Sequence, residues 1–397
     1  MNARAGSLIA LVGVVLIGMT GFGVFLPIFP FLAIEVGATP TATTIAMGAY
    51  SLGQLIAAPL WGRLSDRVGR KPVLLAGLIG GVASYVWIAQ AESVETLGAA
   101  RLFGGLMAGN VGAAFAAAAD VSDDRTRARN MGLLGAAVGL GFIAGPALGA
   151  LLATDGAGRE GFARACYVSA ALALLATVVA LALFKETLPR EARRSAGEAR
   201  TGRFALLTTR PALARFAAVM FLMIAAQALM ETVFGLWAAA QLRWGPREVG
   251  WTLAALGLGA ALLQGGAAGA AARALGERTT LLIGLALFAA GFGGMAVSAH
   301  MQTLAVSLTA LVIGLGLATP ALNALIAEQA EARDRGAVMG LSQSAAALGR
   351  VAGPLMAGPL FESVAPGAPF VAAALLMFAA LFVTLGEPMR EAAREEG

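Results

Sequence analysis

Long apolar runs separated by short polar ones set the pattern of this chain. Twelve runs reach about the 20 residues that a helix needs to cross a hydrocarbon core of about 30 Å. They are residues 7 to 32, 42 to 61, 72 to 90, 97 to 119, 131 to 153, 162 to 184, 211 to 239, 248 to 270, 279 to 299, 302 to 326, 337 to 360 and 367 to 385. The first is too long, and too closely followed by the second, for a cleaved signal peptide. The pattern predicts an all-α membrane protein of twelve transmembrane helices.

Composition excludes a soluble fold. Of 397 residues, 58% are hydrophobic and 13% charged, and the mean hydropathy is +0.79; a water-exposed surface of this size needs far more charge. The cations then orient the spans, because Lys and Arg are retained on the cytoplasmic side. With both termini inside, the cytoplasm receives Arg4, Arg63, Arg67, Arg70, Lys71, Arg125, Arg127, Arg129, the basic run from Lys185 to Arg215, Arg273, Arg278, Arg333, Arg335, Arg390 and Arg394. Only Arg159, Arg164, Arg243 and Arg247 fall outside, while Arg101 and Arg350 lie within spans. The expectation is a multi-pass protein of the cell inner membrane. The pI near 10.1 then reflects topology and an anionic inner leaflet, and nucleic acid is not an expected partner. Cys166 is the single thiol, so no intrachain disulfide can form.

The longest polar segment, KETLPREARRSAGEARTGR, divides the spans six and six. It predicts an N-terminal six-helix bundle over 1–184, a cytoplasmic linker over 185–210, and a C-terminal six-helix bundle over 211–397 with a short cytoplasmic tail. The halves also resemble each other. Residues 118 to 149 align without gaps to 326 to 357, pairing Asp120 with Glu328, Arg125 with Arg333, Arg127 with Arg335, Met131 with Met339, and Gly145-Pro146 with Gly353-Pro354. Two parallel repeats, related by a pseudo-two-fold axis, suit alternating access. GRLSDRVGRK, residues 62–71, concentrates charge between spans two and three and has a faded copy in GAAARALGERT, where Asp66 maps to Arg273.

With these segments in view, the chain resembles the major facilitator superfamily and, within it, the twelve-span drug:proton antiporters. GRLSDRVGRK matches the superfamily signature Gly-x-Leu-x-Asp-Arg-x-Gly-Arg-Lys at every defined position. RLFGGLMAG, with Arg101 and Gly105, resembles the span-four motif of proton-coupled members, and GLGFIAGPALG resembles the span-five antiporter motif, here Gly141, Gly145, Pro146 and Gly149. The nearest likeness is to tetracycline efflux proteins. Two positions depart from that group: GMTGFGV in span one has no carboxylate, and TLAALGLGAALLQGG in span eight has no histidine. The resemblance implies that Asp66 latches onto an Arg and the positive N-terminal end of span eleven, with Arg125 or Arg127 near. Gly62 then allows close helix approach, Gly69 permits the turn and Arg70 helps hold the loop inside. It also implies that spans five and eight meet between the halves along their glycine stripes.

Ionisable groups within the membrane are costly and invite a functional reading. Glu231 shares a helical face with Gln227, Phe234 and Ala238, and burial is expected to favour its protonated form. It is read either as a proton-coupling or substrate group, or as a structural Glu paired with a neighbouring Arg. Arg350 shares a face with Gln343, at a similar counted depth to Glu231, and is its expected partner. The resemblance implies that Arg101 helps proton coupling, with Gln54 and Asn110 as neighbours; the alternative is a cation snorkelling to the headgroups. The candidate substrate contacts are Gln54, Asn110, Gln227, Phe234, Asn323 and Gln343.

Other classes lack raw material. Neither Lys71 nor Lys185 ends a Gly-Lys-Ser/Thr phosphate loop, and one histidine, His300, with one thiol supports neither a zinc site nor a catalytic triad. No enzyme activity, metal or cofactor is expected. The expectation is a monomeric proton-coupled exporter whose partners are protons, the lipid bilayer and a small hydrophobic or amphipathic drug-like compound. The alternatives are a uniporter or symporter of another metabolite, and a membrane scaffold or receptor.

Overall fold

The structure is a computed structural model that describes residues 3–123, 125–153, 158–188, 209–330 and 334–386. Most of the predicted linker, Arg333, and the tail with Arg390 and Arg394 lie outside the described residues, as do the side chains of Arg4 and Arg335. Among the described residues there is no strand.

The N-terminal half forms α1 (Ala3–Phe25), α2 (Phe29–Glu35), α3 (Pro40–Val68), α4 (Arg70–Ala89), α5 (Val94–Met107), α6 (Asn110–Asp120), α7 (Arg127–Leu152) and α8 (Gly158–Leu183). The C-terminal half forms α9 (Pro211–Leu242), α10 (Pro246–Leu262), α11 (Ala268–Leu275), α12 (Glu277–Ala296), α13 (Met301–Glu328), α14 (Arg335–Ser363) and α15 (Ala368–Leu385). Three predicted spans are composite. The first breaks between Phe25 and Phe29, where Pro27 cannot donate to the helix ladder. The fourth breaks at Ala108–Gly109, and the eighth runs through a π-helical turn, Leu263–Ala267. Ten of the resulting spans are long and apolar enough to cross a membrane. The other two predicted spans, in α3 and α14, are 29-residue helices. They are long enough, but their apolar runs are diluted by Gly, Thr, Ser and Gln.

Local chemistry sets several helix starts. Thr39 caps α3 by accepting from the Ala42 N–H, ahead of Pro40 in the first turn, and Ser93 with Thr96 forms a reciprocal capping box on α5. Between α3 and α4 the chain reverses at Gly69, φ 112°, and between α11 and α12 at Gly276, φ 79°. Both values lie where a side chain is strained.

Contacts divide the chain into two compact units. The larger comprises Met1–Ala199, Glu231–Leu258 and Pro354–Pro366; the smaller comprises Arg200–Met230, Gly259–Gly353 and Gly367–Gly397. In lipid there is little hydrophobic drive between helices, so close backbone packing of small residues carries the association. In the larger unit a methyl group at Gly145 would lie 2.5 Å from the Gly23 Cα, and one at Gly53 2.5 Å from the Leu102 carbonyl. Two apolar clusters fill the N-terminal helices, one around Leu11, Val14, Leu74, Leu134 and Phe184, the other around Phe25, Phe29, Ile88 and Leu97. Parts of the C-terminal helices belong to this unit: Gly235 packs on Pro30, Gly250 on the Pro146 carbonyl and Ala150, and Pro354 and Gly358 on Gly48 and Thr44. In the smaller unit, Gly284, Gly291 and Gly314 bring α12 against α13, and Gly349 and Gly353 bring α14 against α9.

Candidate functional site

Arg101 is 3% exposed, which excludes the snorkelling alternative. Its guanidinium carbon lies 4.5 Å from the centre of the Tyr50 ring, 5.0 Å from Phe25, and 5.7 Å from both Phe22 and Phe29. Span one supplies three of these rings on successive turns, since Phe22 and Phe25 end α1 and Phe29 begins α2. Such placement stabilises the charge through the ring quadrupoles. The helix is pressed into place by Gly105, whose added methyl would land on the Tyr50 carbonyl, and by the Ser84 hydroxyl, which donates to the Ala100 carbonyl at 2.9 Å. Sequence reasoning missed the cage, although the three phenylalanines at helical spacing in span one were the available signal.

The expected neighbours of Arg101, Gln54 and Asn110, are both half-buried. Asn110 starts α6, beyond the break in span four, and packs on Gly77. Trp61 wedges into that break, its indole N–H donating 2.6 Å to the Leu106 carbonyl while its ring covers Gly109. This contact was not anticipated.

At the far end of α3 the signature loop forms an ion cluster. Arg70 Nη1 donates to Asp66 Oδ1 at 2.6 Å and to Ser65 Oγ at 3.1 Å, while Nε donates to Asp120 Oδ2 at 2.9 Å. Among the described residues Asp66 pairs with Arg70 of its own loop, and Arg125 and Arg127 are exposed outside the cluster. The turn at Gly69 folds Arg70 back within reach, which shortens the electrostatic path. Gly62, expected to permit close approach, faces open space. Two participants were missed. Asp120, identified only as a repeat position, is the second acid. Glu186, in the predicted linker, caps α4 by accepting from the Arg70 and Lys71 N–H groups at 2.9 and 3.1 Å.

The smaller unit has a partial copy of this joint. Lys71 donates to the Leu181 carbonyl at the end of α8, and Arg278 donates to the Thr384 carbonyl at the end of α15. Both place a cation on the negative end of a helix. Aligned by the same repeat, Asp66 and Arg70 correspond to Arg273 and Glu277, with the signs exchanged. No ion pair joins Arg273 and Glu277 among the described residues.

The span-five motif packs within its own half. Gly141, Gly145 and Gly149 face Met19, Gly23 and Val24 of α1, so these glycines serve the contact with span one rather than one between halves. Spans five and eight do meet, through different residues: Gly250 on Pro146 and Ala150, and Gly257 on Ile143. In span eight, Gly265 and Gly266 face open space.

Of the remaining candidates, Glu231 lies two-thirds along α9 and is exposed, not buried as expected. Phe234, one turn on, is fully buried, stacked on Trp237 and edge-on to Trp244, and presents no surface to a ligand here. Gln227 and Arg350 are half-buried, and Asn323 and Gln343 are exposed on α13 and α14. No cluster of His, Cys, Asp and Glu suited to a metal occurs among the described residues.

At the opposite end of α3 from the ion cluster, Glu362 Oε2 accepts from the Thr41 N–H at 2.9 Å, in the first turn of the helix. Hydrogen bonding by the Thr41 side chain, and then by its backbone N–H, holds this carboxyl below the usual range.

The sequence model of the Major Facilitator Superfamily matches residues 11–238 and 212–397. The class G tetracycline resistance protein of Vibrio anguillarum is 33% identical over 370 residues, spanning 91% of this chain and 92% of that protein. The class C tetracycline resistance protein of Escherichia coli is 29% identical over 367 residues, spanning 90% of each. Among solved structures, a mutant of the nucleoside transporter NupG superposes with a TM-score of 0.81 at 12% identity, covering 95% of this chain and 98% of that one.

Proposed function

The chain belongs to the major facilitator superfamily and is a multi-pass membrane transporter rather than an enzyme; on that premise we propose that it exports a small amphipathic, drug-like compound in exchange for protons. Two six-helix bundles, residues 1–184 and 211–397, alternate access as a monomer in the cell inner membrane, with both termini and the 185–210 linker cytoplasmic. The observation that carries the reading is the presence of ionisable side chains, Arg101, Glu231 and Arg350, in apolar spans of a chain 33% identical to a resistance protein over 91% of its length. Glu231 exchanges the proton: its place in an apolar span makes the charged form costly. Arg350 is its ionic partner, and substrate or a proton separates them. Gln54, Asn110, Gln227, Asn323 and Gln343 contact the substrate, joined by Phe234 in another state of the cycle. Asp66, Arg70 and Asp120 hold the signature loop, and they release when the cytoplasmic side opens.

The test is proton movement in proteoliposomes under an imposed pH gradient, with tetracycline and a panel of amphipathic drugs. Exchange predicts that each transported compound displaces protons, and that Glu231→Gln abolishes the displacement while lowering flux at least tenfold. Solute flux without proton movement establishes a uniporter instead. Unchanged transport and pH dependence in Glu231→Gln remove Glu231 from the mechanism.

A further inference from the structure

No Asp or Glu occurs within the first six spans, yet one fully buried cation, Arg101, sits there. Its Nε is buried without a hydrogen-bond partner, and no hydrogen bond or ion pair to Arg101 occurs among the described residues. The four surrounding rings stabilise the charge through their faces, but a guanidinium also carries five N–H donors in its own plane, and ring faces do not satisfy donors that point past them. A planar acceptor with two oxygens is the group that matches this fork.

The cage is asymmetric. Phe25 and Phe29 are fully buried, 1% and 0% exposed. Phe22 and Tyr50 are half-buried, their ring centres 5.3 Å apart, and Phe142 of α7 stands edge-on to Phe22 at 5.8 Å and is 37% exposed. The floor is thus a cation with unmatched donors, and the rim is three partly accessible aromatic rings from α1, α3 and α7.

We propose that Arg101 with the Phe22, Tyr50 and Phe142 rim is an anion subsite, and that the compound carried is an aromatic acid. Its carboxylate accepts from the Arg101 fork and its ring system stacks on the rim. The inference rests on the transporter reading and assigns the substrate class within it. It also accounts for the absence of a carboxylate in these spans, since a resident acid would occupy the fork and exclude the ligand.

Three probes on one skeleton test it: 2-naphthoate, its neutral methyl ester, and 2-naphthylmethylammonium. Equilibrium binding to the purified full chain in detergent is expected to favour the acid at least tenfold over both others. Arg101→Met removes the preference, and Arg101→Lys, which keeps the charge but not the planar fork, retains part of it. Size-exclusion elution and melting temperature report whether each variant is folded; if Arg101→Met is not, the wild-type comparison of the three probes still decides. Equal or weaker binding of the acid, no binding of the acid, or an undiminished preference in folded Arg101→Met overturns the proposal. Flux in vesicles separates the two readings. Neutral or cationic probes carried without acid preference leave the exporter standing and remove the subsite, whereas acid-selective binding without flux of any probe keeps the subsite and removes the exporter.

Discussion

At the scale of single residues, the ion cluster at Gly69 is where charge and geometry are most closely tied. Arg70 is shared between Asp66 and Asp120, and Asp120 keeps only part of its water contact, at 21% side-chain exposure. Asp120→Asn removes a charge-assisted bond and is expected to cost about 1.5 kcal/mol, the low end for such bonds because some solvent remains. The check is a lower melting temperature in detergent than for Arg125→Gln, which touches nothing in the cluster. The motif itself was legible in the sequence, because a ten-residue signature with defined spacing specifies a turn and its charges. Its partners were not, because Asp120 and Glu186 come from distant segments that the fold brings to the loop. Glu231 was legible as an ionisable group in an apolar run, but its exposure depends on what packs beside α9, which local sequence does not state. The aromatic cage was half legible: the spacing of Phe22, Phe25 and Phe29 was visible, the arrival of Tyr50 and Arg101 beside them was not.

At the scale of helices, ten of the twelve expected spans meet, among the described residues, the simple rule of length and apolarity that lipid imposes, whereas the breaks at Phe25, Ala108 and Leu263 follow from packing and local backbone and escaped it. Glycine illustrates the same divide. In α7, Gly139 has nothing within 4 Å of an added methyl, whereas at Gly145 the methyl meets Gly23 and the Thr20 carbonyl at 2.5 and 2.6 Å. Gly139→Ala is expected to be neutral or to stabilise by up to about 1 kcal/mol, through helix propensity. Gly145→Ala must push α1 and α7 apart, at a cost of about 1–3 kcal/mol. Thermal melting of the two variants side by side is the measurement, and equal melting temperatures would mean that the motif glycines do not set this contact. Sequence spacing identified a small-residue face; only the fold showed that it meets span one.

At the scale of the molecule, the repeat read from aligned residues reappears as paired joints, turns and glycine contacts in the two halves. The closure between Thr41 and Glu362 adds a prediction about pH. A carboxyl held below its ordinary range keeps its interaction at every pH above that range and loses it only as pH falls through the lowered value. Spin labels placed at Thr39 and Ser363 are therefore expected to keep one separation from about pH 5 to 8 and to move apart below about pH 4. Glu362→Gln lengthens the separation throughout the neutral range; a separation that varies steeply near neutrality instead would assign the closure to another group. The two helix joints bear on ancestry. If one ancestral unit was duplicated, its descendants have kept the glycine reversal and the cation seated on the last helix, while the neighbouring ion pair has reversed sign and lapsed at Arg273 and Glu277. Inheritance has preserved the shape of the turn and let its charges drift, so the ion cluster that ties this loop in one descendant has no counterpart at the matching residues of the other.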